Sequence, residues 1–392
     1  MIHVPLTALG SLVDPVESWS PERDAPDDSF VYIDLSGVDQ EAKAITGARE
    51  MPCSEAPSRA RQLVAVGDVL VSTVRPNLNA VAQVPSEFDG ATASTGFCVL
   101  RPRPKALDGA YLLHWVRSPR FVSEMVRRAT GASYPAVSDR IILESALPLP
   151  TLAEQRRIAE VLDRAEALRA KRRSTLALLD TLTQSVFLDT FGDPTTNPKG
   201  WRLEAFGTVG KARLGKMLDQ KKQTGEYRRH YLRNANVQWF RFALNDVHEM
   251  DFNDREREIF RLVPGDLLIC EGGEPGRAAV WHGEVDECYY QKALHRIRPH
   301  PDLAVAEYLA WLLWFMADRG RLGDHVTSAT IAHLTGEKLA AMLIPLPPVD
   351  LQLLFRSRLD AIETVRVRYQ SSDAAISALI ESLQHRAFRD GL

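Results

Sequence analysis

The sequence predicts an α+β fold. It holds two tandem α/β modules separated by two long helices that pair as an antiparallel coiled coil, giving a pseudo-twofold body. Three observations predict this: the chain repeats itself at a nearly constant offset, the stretch after each module has a 3.5-residue apolar period, and prolines open both of those stretches.

The repeat is the broadest signal. Pro148-Leu149-Pro150 recurs as Pro345-Leu346-Pro347, an offset of 197 residues. The same offset carries Gln155 to Gln352, Leu162-Asp163 to Leu359-Asp360, and Leu182, Ser185 and Phe191 to Leu379, Ser382 and Phe388. Upstream it places "YLLHW" (111–115) on "YLAWL" (308–312) and "LRPRP" (100–104) on "IRPHP" (297–301). "GDVL" at 67 meets "GDLL" at 265 after a one-residue indel. The modules have diverged more than the helical segments. The expected segments are a first module at 1–147, a first helix at 148–192, a linker at 193–199, a second module at 200–344 and a second helix at 345–392.

Each helix begins where proline ends a strand, because proline is tolerated at a helix start and not in its interior. Thr151 with Glu154 three residues on fits a capping box. Beyond it, Ile158, Val161, Ala165, Leu168, Arg172, Thr175, Leu179, Leu182 and Val186 alternate steps of three and four, the seam of a coiled coil. The second copy keeps this register at Phe355, Arg358, Ile362, Val365, Tyr369, Ser372, Ile376, Leu379 and Leu383. "GDPTTNPKG" (192–200) stops the first helix.

Within the modules, 61–74 and 96–102 read as strands with a turn at Gly67-Asp68. Residues 108–129 read as a helix interrupted near Pro119. The second module repeats this at 265–281, 293–299 and 305–320, and its "GGEPG" (272–276) reads as a tight turn between strands. Mostly antiparallel sheets follow.

Composition narrows the function. The chain has 392 residues, 45% hydrophobic and 25% charged, enough for two or three domains without staples. A net charge of −3 excludes a uniformly basic surface but not a local basic groove. The four cysteines form no C-x-x-C pair, which reads as reduced thiols of a cytoplasmic protein. The start is a poor signal peptide, and the longest apolar run, 309–317, falls short of a membrane span. There is no phosphate loop, no H-E-x-x-H, no nucleophile elbow and no adenine-methyltransferase N-P-P-[YF] motif, so no catalytic residue and no metal site are expected. Asp266, Glu271 and Glu274 lack the lysine a nuclease set requires.

Polar and basic loop chemistry remains. Residues 211–233 carry Lys211, Arg213, Lys216, Lys221, Lys222, Arg228, Arg229 and Arg233 against Asp219 and Glu226. Such a patch suits phosphate and base-edge contacts, or is a solvated charged face. In the first module "STVRPNLNA" (72–80) puts Arg75, Asn77 and Asn79 in a proline-stiffened loop; these types read guanine and adenine in the major groove, or simply form a turn. "TGASYPAVS" (130–138), with Ser133 and Tyr134, corresponds to "TSATIAHLT" (327–335), with Thr330. Arg277 and Lys292 complete the DNA-binding candidates.

The combination resembles the specificity (S) subunit of type I restriction–modification systems. The residues that carry the resemblance are "LPLPTLAEQRRIAEVLD" (147–163), its weaker copy "IPLPPVDLQLLFRSRLD" (344–360), "GDVLVSTVRPNLNAVAQV" (67–84), "GDLLICEGGEPGRAAV" (265–280) and "FLDTFGDP" (187–194). The resemblance implies that each module is a target recognition domain reading one half of a bipartite, asymmetric DNA site. The helices would set the spacer and dock two methyltransferase subunits, through Leu152, Glu154, Gln155, Arg156, Arg157 and Gln352. Partner subunits would supply S-adenosylmethionine chemistry and, in a motor-nuclease subunit, ATP/Mg-dependent cleavage. This chain would bind no cofactor and catalyse nothing. The competing readings are a helical scaffold, or a stand-alone DNA-binding protein without restriction partners.

Overall fold

The computed structural model describes residues 5–219, 223–325 and 333–388. By its contacts the chain divides into two compact units. One comprises the residues up to Ser174 together with those from Gln370; the other runs from Thr175 to Tyr369. The division passes through both long helices, Leu152–Phe191 and Val349–Ala387. Each unit therefore holds one module, part of one helix and the opposite end of the other.

In the first unit, strands Val13–Asp14, Phe97–Pro102, Val69–Ser72 and Val81–Gln83 form an antiparallel sheet in that order. A second sheet orders Arg49–Pro52, Ser29–Ile33, Thr92–Ser94 and Ala60–Leu63, with one parallel pairing between the middle two. Helices Gly109–Arg117 and Pro119–Arg128 cover the first sheet. Asp108 caps the former by accepting from the Ala110 and Tyr111 amides. Ser118 ends it and caps the next, with Pro119 at the first position of that helix, which is the expected interruption. The second unit repeats the antiparallel sheet with Gly210–Leu214, Leu294–Pro299, Leu267–Cys270 and Ala278–Val280, covered by helix Ala306–Asp318.

The repeat extends to single hydrogen bonds. Asp68 is buried, accepts from the Ala65 amide and takes a two-pronged bond from Arg101; Asp266 does the same with Val263 and Arg298. Leu6–Ala8 pairs with Ala146–Pro148 as Leu203–Ala205 pairs with Leu343–Pro345. The Tyr111 hydroxyl donates to the Pro148 carbonyl at 2.7 Å, and Tyr308 to Pro345 at 2.6 Å.

Gln155 is wholly buried. Its Oε1 accepts from the Asp108 amide at 2.9 Å, and its Nε2 donates to the Ala106 and Pro150 carbonyls. Gln352, also wholly buried, accepts from the Val305 amide and donates to Leu303 and Pro347. These two glutamines clamp each helix start to its own module. This corrects the docking expectation for both, since their amides are engaged inside their units and offer nothing to a partner.

The helices pair antiparallel within each unit. In the second, Phe187 meets Phe355 at 5.4 Å between ring centroids, while Arg366 reaches Asp180 at 2.5 Å. In the first, Ile158, Ala159 and Leu162 share a core with Leu383, Ala387 and Phe388. The heptad period holds, but its phase differs at alternate positions. The inward residues are 158, 162, 165, 169, 172, 176, 179, 183, 186 and 190, and in the second helix 355, 359, 362, 366, 369, 373, 376, 380, 383 and 387. Leu168, Leu182, Val365 and Leu379, expected in the seam, are exposed. The modules turn the helices: Leu162 and Phe187 enter the module cores, and the face that they define rotates the seam by one residue at every second step. The Thr151 cap is present, but Glu154 turns away from the capping box to ion-pair with Arg157.

Candidate nucleic-acid interface

In the first unit the loop between Val69–Ser72 and Val81–Gln83 is held rigid from below. Arg75 and Asn79 both adopt left-handed backbone, with φ of 49° and 47°, on either side of a short helical turn Pro76–Leu78. Such conformations cost energy in residues other than glycine and persist only where the surroundings fix them. Here the Arg75 amide donates to the Pro135 carbonyl at 2.7 Å, the Val137 amide to Thr73, and Val74 bridges Ala136. Loop 72–80 is thereby stitched to loop 130–138. The Arg75 guanidinium lies 4.8 Å over the Tyr134 ring, and that ring is 68% exposed. Arg75, Asn77, Ser133 and Tyr134, expected separately, thus form one exposed group on a fixed base. It offers a forked cation, an amide, a hydroxyl and an aromatic face, the chemistry of base-edge and stacking contacts.

Asn79 does not belong to that group. Its Nδ2 donates to the Val116 carbonyl at 3.1 Å, and its own carbonyl accepts from Lys43 at 2.5 Å. Its Nδ2 bond to Val116 makes it an anchor of the loop.

In the second unit the counterpart loop, 271–277, occupies the same place. Gly272 bridges His333 as Val74 bridges Ala136. Here the loop is glycine-rich, and a Cβ on Gly276 would stand 2.4 Å from Leu322. Arg277 is engaged within it, donating to Glu274 at 2.8 Å and to the Asn234 carbonyl at 3.1 Å. Arg277 therefore closes the loop from within. Lys216 is engaged as well. Its ammonium donates to the Asp251 carbonyl and to Glu256, both at 2.6 Å, and lies over the Phe252 ring. Arg229 is half-buried against Glu287 at 3.0 Å. Arg228 and Lys292 are exposed, and Lys292 sits next to Ala293, whose carbonyl accepts from Glu271 at the base of the loop. Lys211 and Arg213 are exposed on the edge strand Gly210–Leu214. Lys221, Lys222 and Thr330 lie outside the described residues.

The segment before Arg228 is shaped by Asp251, which accepts from the amides of Gly225, Thr224 and Tyr227. These bonds, Gly225 foremost, hold its carboxyl below the ordinary aspartate value. Of the docking candidates, Arg156 and Arg157 are exposed at the head of the first long helix, with Arg156 3.7 Å from Asp108 and Arg157 paired to Glu154; Leu152 and Glu154 are half-buried. The internal role of the glutamines was missed from sequence. The signal was available: Gln155, Tyr111 and Pro148 all recur at the same offset.

Among the described residues no group of His, Cys, Asp and Glu stands ready to hold a metal, and no helix is long and apolar enough to cross a membrane.

No protein-family model matches the chain. The specificity subunit of the type I restriction enzyme EcoKI of Escherichia coli K12 is 23% identical over 320 residues, 76% of this chain and 68% of the relative. Among solved structures, the HsdS subunit from Thermoanaerobacter tengcongensis is 26% identical with a TM-score of 0.50, covering 99% of this chain and 97% of that one. A chain from a study of complex assembly and conformational transition in the type I R-M system matches over the full length of both, with a TM-score of 0.69 and 24% identity. The type I S subunit of M. genitalium has the same fold at 12% identity, with a TM-score of 0.57 over 100% of this chain and 98% of that one. With the internal repeat and the paired helices, these likenesses make the chain similar over its full length to the specificity subunits of type I restriction–modification systems.

Proposed function

We propose that this chain is the DNA-reading subunit of a type I restriction–modification complex. Each module reads one half of a bipartite, asymmetric site, and the long helices set the spacer between the halves. One observation carries the reading: two modules with the same fold and the same internal anchors present different chemistry at the same loop. Arg75, Asn77 and Tyr134 stand in one, and glycine-rich 271–277 with Lys292 beside it in the other. Identical supports with unlike tips read two unlike half-sites. A helix of about 40 residues spans roughly 60 Å, and a stiff rod of that kind converts length into a fixed count of base pairs.

Two methyltransferase subunits would dock at the heads of the long helices, where Arg156 and Arg157 are exposed. They would supply S-adenosylmethionine chemistry, and a motor-nuclease subunit the ATP-dependent step. This cytoplasmic chain would contribute recognition and no catalysis. The reading is tested by mapping methylated adenines in the host genome with and without this gene. Loss of methylation at a single bipartite motif on deletion is expected. An unchanged methylation map, together with recovery of the tagged chain free of any methyltransferase, would overturn it.

A further inference from the structure

Beside the reading loop of the first unit lies a half-buried cluster that base reading does not use. Lys43 precedes strand Ala44–Ile45 in left-handed backbone, φ 54°, and its ammonium donates to the Asn79 carbonyl of the reading loop. Arg117, at the end of helix Gly109–Arg117, and Arg169, on the first long helix, converge on one carboxylate, Glu166, at 3.1 and 2.5 Å. Their side chains are only 14% and 23% exposed. Two further carboxylates, Asp39 and Asp163, keep their charge near these cations while held by other donors: Asp39 accepts from the Glu41 and Ala42 amides, and Asp163 from His114. Glu166 pairs with both arginines, and at the Lys43 ammonium Arg117 and Arg169 outweigh Asp39 and Glu166, so the local potential is positive in a partly desolvated place and favours a bound anion.

The fold does not require these cations. At the equivalent place in the second unit, Phe240 also precedes its strand in left-handed backbone, φ 62°, and stacks on Trp311 at 4.2 Å with Trp314 at 6.4 Å. Trp311 and Trp314 correspond by the 197-residue offset to His114 and Arg117. One architecture is therefore completed by aromatic packing in one unit and by clustered cations in the other.

We propose that Lys43, Arg117 and Arg169 form an anion site holding one backbone phosphate of the DNA engaged by the adjoining reading loop. The proposal rests on the DNA-reading function above and names a contact within it. A phosphate here positions the duplex without reading sequence. Burial, then Arg117 and Arg169, lower the Lys43 ammonium to about 8, with Asp39 and Glu166 opposing. A bound phosphate favours the charged form, so the lysine contribution to affinity is present below that value and fades as pH rises through it.

The test uses the full chain in complex with its methyltransferase partner and a duplex carrying the site mapped from host methylation. Lys43→Met is expected to weaken binding about tenfold on specific and non-specific duplexes alike, and to reduce the salt slope by about one. Lys43→Arg is expected to keep wild-type affinity and to hold it above pH 8, where wild type declines. Replacing backbone phosphates one at a time by methylphosphonate should find a position whose loss weakens wild type but not Lys43→Met. Wild-type affinity and salt slope in Lys43→Met, with no coupled phosphate, would overturn the anion site alone. Failure of the wild-type complex to select any sequence would overturn the DNA-reading function and the anion site with it. Should Lys43→Met not fold, the methylphosphonate scan on wild type and on Lys43→Arg decides: no phosphate whose neutralisation removes the pH difference between them overturns the site.

Discussion

A single buried amide holds each module to its helix, and its contribution can be measured. Removing the Gln155 side chain leaves the Asp108 amide and the Ala106 and Pro150 carbonyls without their partner in a closed interior. Gln155→Ala is expected to destabilise the protein by about 2–4 kcal/mol in chemical denaturation, and a loss below about 1 kcal/mol would contradict the clamp. At this scale the sequence is only half legible. Arg75, Asn77 and Asn79 look alike in the sequence as polar loop residues, yet left-handed backbone at Asn79 turns its amide onto Val116 while Asn77 stays in solvent. Composition and spacing carry no information about that turn. The partners of Lys216 and Arg277 were illegible for a related reason: Glu256 for one and Asn234 for the other lie some 40 residues away in the chain.

At the scale of elements, period was readable and phase was not. Val161 and Leu162 are both apolar, and either satisfies a heptad; only the module core decides that Leu162 turns inward. The observed phase makes unequal predictions for two residues five positions apart. Phe187 is wholly buried and packs against Phe191, Tyr308, Phe315 and Phe355, whereas Leu182 is 47% exposed. Phe187→Ala is expected to cost about 3–5 kcal/mol, and Leu182→Ala less than about 1 kcal/mol, in the same denaturation experiment. Comparable losses at both positions would restore the sequence-read seam at Leu182. The strands within 61–74 and 96–102 and the interrupted helix at Pro119 were legible because capping, proline and turn chemistry are local. The parallel pairing of Ser29–Ile33 with Thr92–Ser94 left no local trace.

For the molecule as a whole, the decisive property of the clamps is what they bond to. Gln352 accepts from the backbone amide of Val305 and donates to the backbone carbonyls of Leu303 and Pro347, and Gln155 treats Asp108, Ala106 and Pro150 the same way. Tyr308 likewise donates to the Pro345 carbonyl. Backbone atoms are present whatever the side chains, so the grip of a helix on its module is nearly indifferent to module sequence. Residues outside the clamps can then diverge freely, as the half-buried Lys43 and Arg117 have from Phe240 and Trp314 at matched positions. The consequence is exchangeability. Replacing residues 200–344 by the corresponding module of another specificity subunit, with Pro345 and Gln352 kept, should give a folded chain. Its genomic adenine methylation should change in one half of the recognised motif and keep the other half and the spacer length. A changed spacer would mean that the modules and not the helices set the distance. Changes in both halves would mean that recognition is not divided between the modules.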